Sequence, residues 1–108
     1  MKLRDKLIEE TILVPMQATS KESANKELLT HLKSIDILLA TVQLFANIKE
    51  QDNIFTASVG RGIAYPHSTS VEVNELTCVL GISIKGVDYN SPDGQYCHLI
   101  LLTVSPAD

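Results

Sequence analysis

Leu99-Ile100-Leu101-Leu102 is an unbroken apolar run with no polar alternation. Side chains alternate between the two faces of a strand, so such a run puts oil on both. A strand like this is stable only in the interior of a sheet that is covered above and below. The feature asks for a layered protein with helices against a sheet.

The helices and further strands can be placed around that run. Thr19-Ser20-Lys21-Glu22 fits a capping box, with Thr19 or Ser20 as the cap. Ala24, Leu28, Leu32 and Ile35 then recur at helical spacing and predict a helix over residues 21–34. Asp36 is the expected cap of a second helix, whose apolar stripe is Leu38, Val42, Phe45 and Ile48. Residues 2–10 read as a short helix or an irregular lead-in. Residues 11–14, stopped by Pro15, read as a strand, as do residues 54–59, residues 63–65 before Pro66, and residues 76–84. Ser91-Pro92-Asp93-Gly94 has its residues in the order a β-turn requires. The expected class is α/β: one domain over residues 1–108, a mixed β-sheet with helices packed on both faces. Only two strong helices precede Asp108, so the chain is expected to stop short of the domain's C-terminal helices.

Size and charge narrow the function. The chain has 108 residues, with 9 Lys+Arg against 13 Asp+Glu and a net charge of −4. Nucleic-acid binders and proteins held on anionic membranes depend on basic surface, so neither class is expected. Glu9 and Glu10 interrupt any apolar stretch behind the N-terminus, and the longest uncharged run is too short to span a bilayer. A cytoplasmic protein without membrane insertion is expected. Cys78 and Cys97 sit in apolar runs without C-x-x-C spacing and read as reduced core residues. His31, His67 and His98 lack metal-ligand spacing, so no metal is expected.

Chemistry concentrates in Gly60-Arg61-Gly62-Ile63-Ala64-Tyr65-Pro66-His67-Ser68-Thr69-Ser70. The glycines permit positive φ and close approach of a partner. Pro66 holds Tyr65 extended and fixes the chain direction just before His67. Thr69-Ser70-Val71-Glu72 fits a second capping box, which would put His67 beside a helix N-terminus, a natural anion site. A histidine next to hydroxyls and backbone donors is suited to hold a phosphoryl group. A lone G-x-G without a third glycine is no dinucleotide loop, and no G-K-[ST] phosphate loop is present.

Gly60-x-Gly62-Ile63-Ala64-Tyr65-Pro66-His67 resembles the G-x-G-[IV]-A-[IFLY]-P-H signature of the fructose/mannitol-type EIIA domain of the bacterial phosphoenolpyruvate:sugar phosphotransferase system. The same domain occurs in nitrogen-regulatory phosphocarriers. The likeness extends to Ser20-Lys21-Glu22 with Leu28-Leu29, to Gly86-Val87-Asp88-Tyr89, to Asp93-Gly94-Gln95, and to the stretch from His98 to Pro106. It departs from the family pattern at Lys49-Glu50, at Thr56-Ala57 and at Arg61 between the glycines.

The resemblance implies a phosphotransferase component. It would accept a phosphoryl group from phospho-HPr and pass it to an EIIB domain during sugar uptake. The alternative it implies is a regulatory phosphocarrier whose phosphorylation state controls a non-transport partner. His67 is then the phosphorylated residue. Ser68, Thr69, Arg61 and His98 are candidates to stabilise the phosphoryl oxygens. Gly60, Gly62, Ile63, Tyr65 and Val71 are candidates for the docking face, and His31 is expected to be structural. No metal or organic cofactor is implied. An unperturbed imidazole titrates near about 6.5 and is largely neutral in a cell. If Nδ1–H donates to a backbone carbonyl, Nε2 is left as the nucleophile.

Overall fold

The computed structural model describes residues 8–39, 41–54 and 57–106. After a 3-10 turn at Glu9–Thr11 come β1 (Ile12–Leu13), α1 (Lys21–Ser34), α2 (Val42–Ile54), β2 (Ser58–Gly60), β3 (Ile63–Ala64), β4 (His67–Ser70), β5 (Thr77–Val87) and β6 (Cys97–Pro106). Residues 2–7 of the expected lead-in lie outside the described residues, as do Phe55 and Thr56 of the expected strand 54–59. Ile54 closes α2, and β2 begins at Ser58.

α1 forms where its cap and spacing place it. Ser20, rather than Thr19, is the cap: its hydroxyl accepts from the Ser23 amide. Ala24, Leu28, Leu29 and Leu32 are buried along one face. Asp36 does not cap α2. It takes a left-handed conformation, φ +62°, in the turn that ends α1, and the amides of Ile37 and Leu38 return to the Leu32 carbonyl. Leu38 is fully buried in the connection, and the helix waits until Val42. Tertiary burial of Leu38 outweighs the local capping preference of Asp36.

β6 is the hub of a mixed six-stranded sheet. It runs antiparallel to β5 and parallel to both β3 and β4, which follow one another along its other edge, while β1 adds in parallel outside β5. The register pairs Val79 with Leu102, Gly81 with Ile100 and Ala64 with Ile100. These residues form the face that meets the helices. Val79, Ile100, Leu102 and Val104 join Leu28, Leu32, Leu44 and Ile48 in one core. A Cβ at Gly81 would collide with Met16 Sδ and lie 2.8 Å from Leu28 Cδ2, so both side chains would have to shift to admit one.

The opposite face carries Ile63, Leu80, Ile82, Leu99, Leu101 and Thr103 by the same register. Leu101 is buried, whereas Leu99 is 42% exposed. Among the described residues, α1 and α2 both belong to the Ile100–Leu102 face. The cover expected on both faces is therefore helical on one. The two helices follow each other directly and pack together, which holds them on the same side. Cys78 and Cys97 are buried free thiols. No helix among the described residues is long and apolar enough to cross a membrane.

Candidate functional site

His67 reaches the surface through two short parallel strands. β3 pairs with β6 at Leu99 and Ile100; Tyr65 and Pro66 then carry the chain along β6, and β4 resumes the pairing with His67 opposite Thr103. The Pro66 carbonyl accepts from the Thr103 amide at 3.0 Å, so the proline bridges the two ladders while needing no donor of its own. Burial alternates cleanly through β4: His67 and Thr69 are exposed, Ser68 and Ser70 buried. The His67 ring is held at one nitrogen, with Nδ1 2.7 Å from the Thr103 hydroxyl. The partner is a side chain on the neighbouring strand, not a backbone carbonyl.

The expected helix after Thr69 does not form. Residues 67–70 pair along their whole length with Thr103, Val104, Ser105 and Pro106. Ser70 caps only a local turn, its hydroxyl accepting from the Glu72 amide at 3.0 Å. Four consecutive sheet partners outweigh one capping interaction, so His67 has a strand rather than a helix N-terminus beside it.

Strand alternation also sorts the expected phosphoryl-stabilising residues. Thr69, register partner of Ser105, is exposed on the His67 side of β4. Ser68 turns the other way: it is 3% exposed, and its hydroxyl reaches only the Thr69 carbonyl at 3.5 Å. Its side chain is not presented with His67.

His98 is five residues from Thr103 on β6, about 16 Å along an extended strand. Its Nδ1–H donates to the Ser83 carbonyl at 2.9 Å, and its ring lies over Gly86. The fold separates His98 from His67. His31 is likewise engaged elsewhere, its Nε2 2.6 Å from the Glu10 carbonyl.

Arg61 occupies a turn of three consecutive positive φ angles: Gly60 at 84°, Arg61 at 58° and Gly62 at 78°. The turn joins β2 to β3 and sits at the Gly62–Leu99 end of the sheet, where the Gly62 carbonyl accepts from the His98 and Leu99 amides. Arg61 is therefore one β-strand's length from His67, not beside it. The Arg61 amide donates to Asp93 Oδ2 at 2.9 Å, and Asp93 Oδ1 accepts from the Gln95 amide. Gly60 has Asp93 Oδ2 only 3.3 Å from where a Cβ would stand. The sequence-predicted turn around Asp93 is present, with the Gly94 amide donating to the Ser91 carbonyl.

Of the expected docking residues, Val71 is 83% exposed and Tyr65 49% exposed, with Ile63 partly buried. Leu39 and Val42 add exposed apolar surface, and the Leu39 amide donates to Glu72 Oε1 directly after Val71. Sequence reasoning missed Thr103 and Ser105, which stand opposite His67 and Thr69.

The Asp93 clamp has a pH consequence. Hydrogen bonds from the Arg61 amide, then the Gln95 amide, hold the Asp93 carboxyl below its ordinary value of 3.8. A group with a depressed folded pKa contributes stability above the unfolded value and loses it as pH falls through the folded value. We expect Asp93→Asn to lower the melting temperature at pH 7, with the deficit shrinking as pH falls below about 4, where the carboxylate of the unfolded chain begins to protonate. Melts at pH 7 and pH 3 check this, and a constant offset between the two proteins would contradict it.

Residues 6–108 match the family model described as "Phosphoenolpyruvate-dependent sugar phosphotransferase system, EIIA 2". The chain is 30% identical over 102 residues to the fructose-specific EIIABC component of Bacillus subtilis, covering 94% of this chain and 16% of that much longer protein. Its fold is similar to nitrogen regulatory protein IIA-Ntr from Neisseria meningitidis, with TM-score 0.83, 22% identity, and coverage of 96% of this chain and 70% of the other. It is also similar to enzyme IIA of the complex between mannitol IIA and phosphorylated IIB from Escherichia coli, with TM-score 0.74, 18% identity, and coverage of 95% and 72%. A match across nearly the whole length, joined to the signature ending in His67, shows that the chain belongs to the EIIA 2 family of the phosphoenolpyruvate-dependent sugar phosphotransferase system.

Proposed function

We propose that this chain accepts a phosphoryl group from phospho-HPr on His67 and passes it to an EIIB domain in sugar uptake, acting in the cytoplasm. The observation that carries the reading is the presentation of His67. Its ring is exposed, tethered at Nδ1, and has no other hydrogen-bond partner among the described residues. A mobile surface histidine would have to be captured before reaction; this one is already oriented. The IIA–phosphorylated IIB complex of the mannitol system supports an EIIB acceptor for a chain of this fold.

The chemistry asked of the protein is modest. Exchange between two histidines replaces one N–P bond with another, so positioning and charge stabilisation carry most of it. Thr69 and Ser105, on the His67 side of the β4–β6 pair, are the groups proposed to meet the phosphoryl oxygens. Tyr65 and Val71 supply apolar contact that excludes water when a partner docks. Arg61, Ser68 and His98 have no part in this scheme.

The test is incubation with phosphoenolpyruvate, enzyme I and HPr, followed by intact mass measurement and addition of an EIIB domain. The expected result is one acid-labile phosphoryl group that then moves to EIIB. A chain that takes no label is not a carrier. Label that forms but stays put when EIIB domains are added favours the regulatory role.

A further inference from the structure

We propose that Thr103 is the positioning residue of His67, its hydroxyl accepting the Nδ1 proton so that Nε2 is the atom that takes the phosphoryl group. The proposal deepens the carrier reading and rests on it.

The geometry begins in the sheet. His67 and Thr103 are register partners on parallel strands, with side chains on the same face. Nδ1 and Oγ1 are 2.7 Å apart, a short hydrogen bond. Thr103 is flanked on its other side by Cys78 of β5, which is 1% exposed. A β-branched side chain between two strands has few rotamers, so its hydroxyl is fixed relative to the ring.

A neutral imidazole carries one proton; the Thr103 hydroxyl can accept it from Nδ1 or donate to a bare Nδ1, so the 2.7 Å contact fits both tautomers and only the first leaves Nε2 free. With the proton on Nδ1 donated to Thr103, Nε2 keeps its lone pair on the side away from the sheet. With the opposite tautomer, Thr103 donates to Nδ1, Nε2 holds the proton, and the open side has no nucleophile.

In the transfer, the Nε2 lone pair forms the new N–P bond. The N–P bond of the donor histidine breaks, and its electron pair returns to the donor ring. The donor ring enters with its second nitrogen protonated and leaves as neutral imidazole. The His67 ring enters neutral and becomes a cation that keeps its Nδ1 proton. The Nδ1–H···Oγ1 bond strengthens as that charge develops. A hydroxyl also suits the product. If the phosphorylated ring later loses the Nδ1 proton, the Thr103 hydroxyl hydrogen can turn about the C–O bond and be donated to the vacated lone pair, which a backbone carbonyl cannot do.

Thr103→Val removes the hydroxyl and keeps the branched shape that suits a strand, and Thr103→Ser restores it. The readouts are 15N chemical shifts of the His67 ring in the unphosphorylated protein and the rate of label uptake from phospho-HPr. In the wild type and Thr103→Ser, Nδ1 should show the protonated shift and Nε2 the lone-pair shift. Thr103→Val should mix the tautomers and slow uptake roughly ten- to a hundred-fold, the loss of one hydrogen bond to a charged ring. A protonated Nε2 in the neutral wild-type ring overturns the proposal. So does a Thr103→Val protein with an unchanged rate, and both results leave the carrier reading intact. A wild type with the expected tautomer that takes no label overturns the carrier reading, and the proposal with it.

Discussion

His67→Ala should remove the acid-labile phosphoryl label completely while leaving the far-ultraviolet circular dichroism spectrum and the melting temperature almost unchanged. The two halves of this expectation have separate causes. The label is lost because neither other histidine is placed to substitute. His98 lies about 16 Å away along β6 and has its Nδ1–H committed to the Ser83 carbonyl. His31 is engaged with the Glu10 carbonyl beside α1. The fold survives because His67 is exposed and contributes one hydrogen bond and no core volume. Surface substitutions of this kind usually change stability by less than about 0.5 kcal/mol. The companion variant His98→Ala should take up label at the wild-type rate. Full label on His67→Ala would move the acceptor elsewhere and sink the assignment of this residue. A slow His98→Ala protein would mean that His98 acts on the site despite its distance, through Gly62 and Gly86, against which its ring packs.

The sequence was most readable where a single segment contains its own explanation. α1 needs only its serine cap and four apolar positions, and it begins at the residue after Ser20. The turn at Ser91–Gly94 is set by its own four residues. The run at Leu99–Leu102 announced a central strand, and β6 is the hub. Local reading failed where distant pairing competes with a local preference. Thr69-Ser70-Val71-Glu72 is a sound capping box in isolation, yet β6 captures residues 67–70 as a strand. Asp36 is a sound cap, yet burying Leu38 costs it that role.

The candidate site shows the same division. His67 was legible because eight contiguous residues carry its signature. Its partner Thr103 was not, since it stands 36 residues later on a strand whose register no local pattern states. Ser68 is adjacent to His67 in sequence, but adjacency in a strand means opposite faces. His98 was drawn in by residue type, and the register alone separates it from His67. Once β4 is a strand parallel to β6, register puts Thr103 beside His67 and alternation and distance set Ser68 and His98 apart from it.

Leu102→Ala should be the most destabilising single truncation in the β6 core, lowering the melting temperature by roughly 10–30 °C. Leu102 is fully buried and sits opposite Val79 on the face that meets both helices. Removing three carbons there forfeits their burial and leaves a cavity between the sheet and the two helices. Such truncations cost about 2–5 kcal/mol, a large part of the 5–15 kcal/mol that holds a small domain together. Leu99, three residues earlier, supplies the contrast. It lies on the opposite face and is 42% exposed, so Leu99→Ala loses less burial and opens no closed cavity. The expected cost there is about 1 kcal/mol. Thermal melts of the two variants under one buffer decide the point. If Leu99→Ala is as damaging as Leu102→Ala, the assignment of the helix-covered core to the Ile100–Leu102 face is wrong. His67 and Thr103 share the Leu99 face by register, so the candidate site lies on the side of the sheet away from α1 and α2.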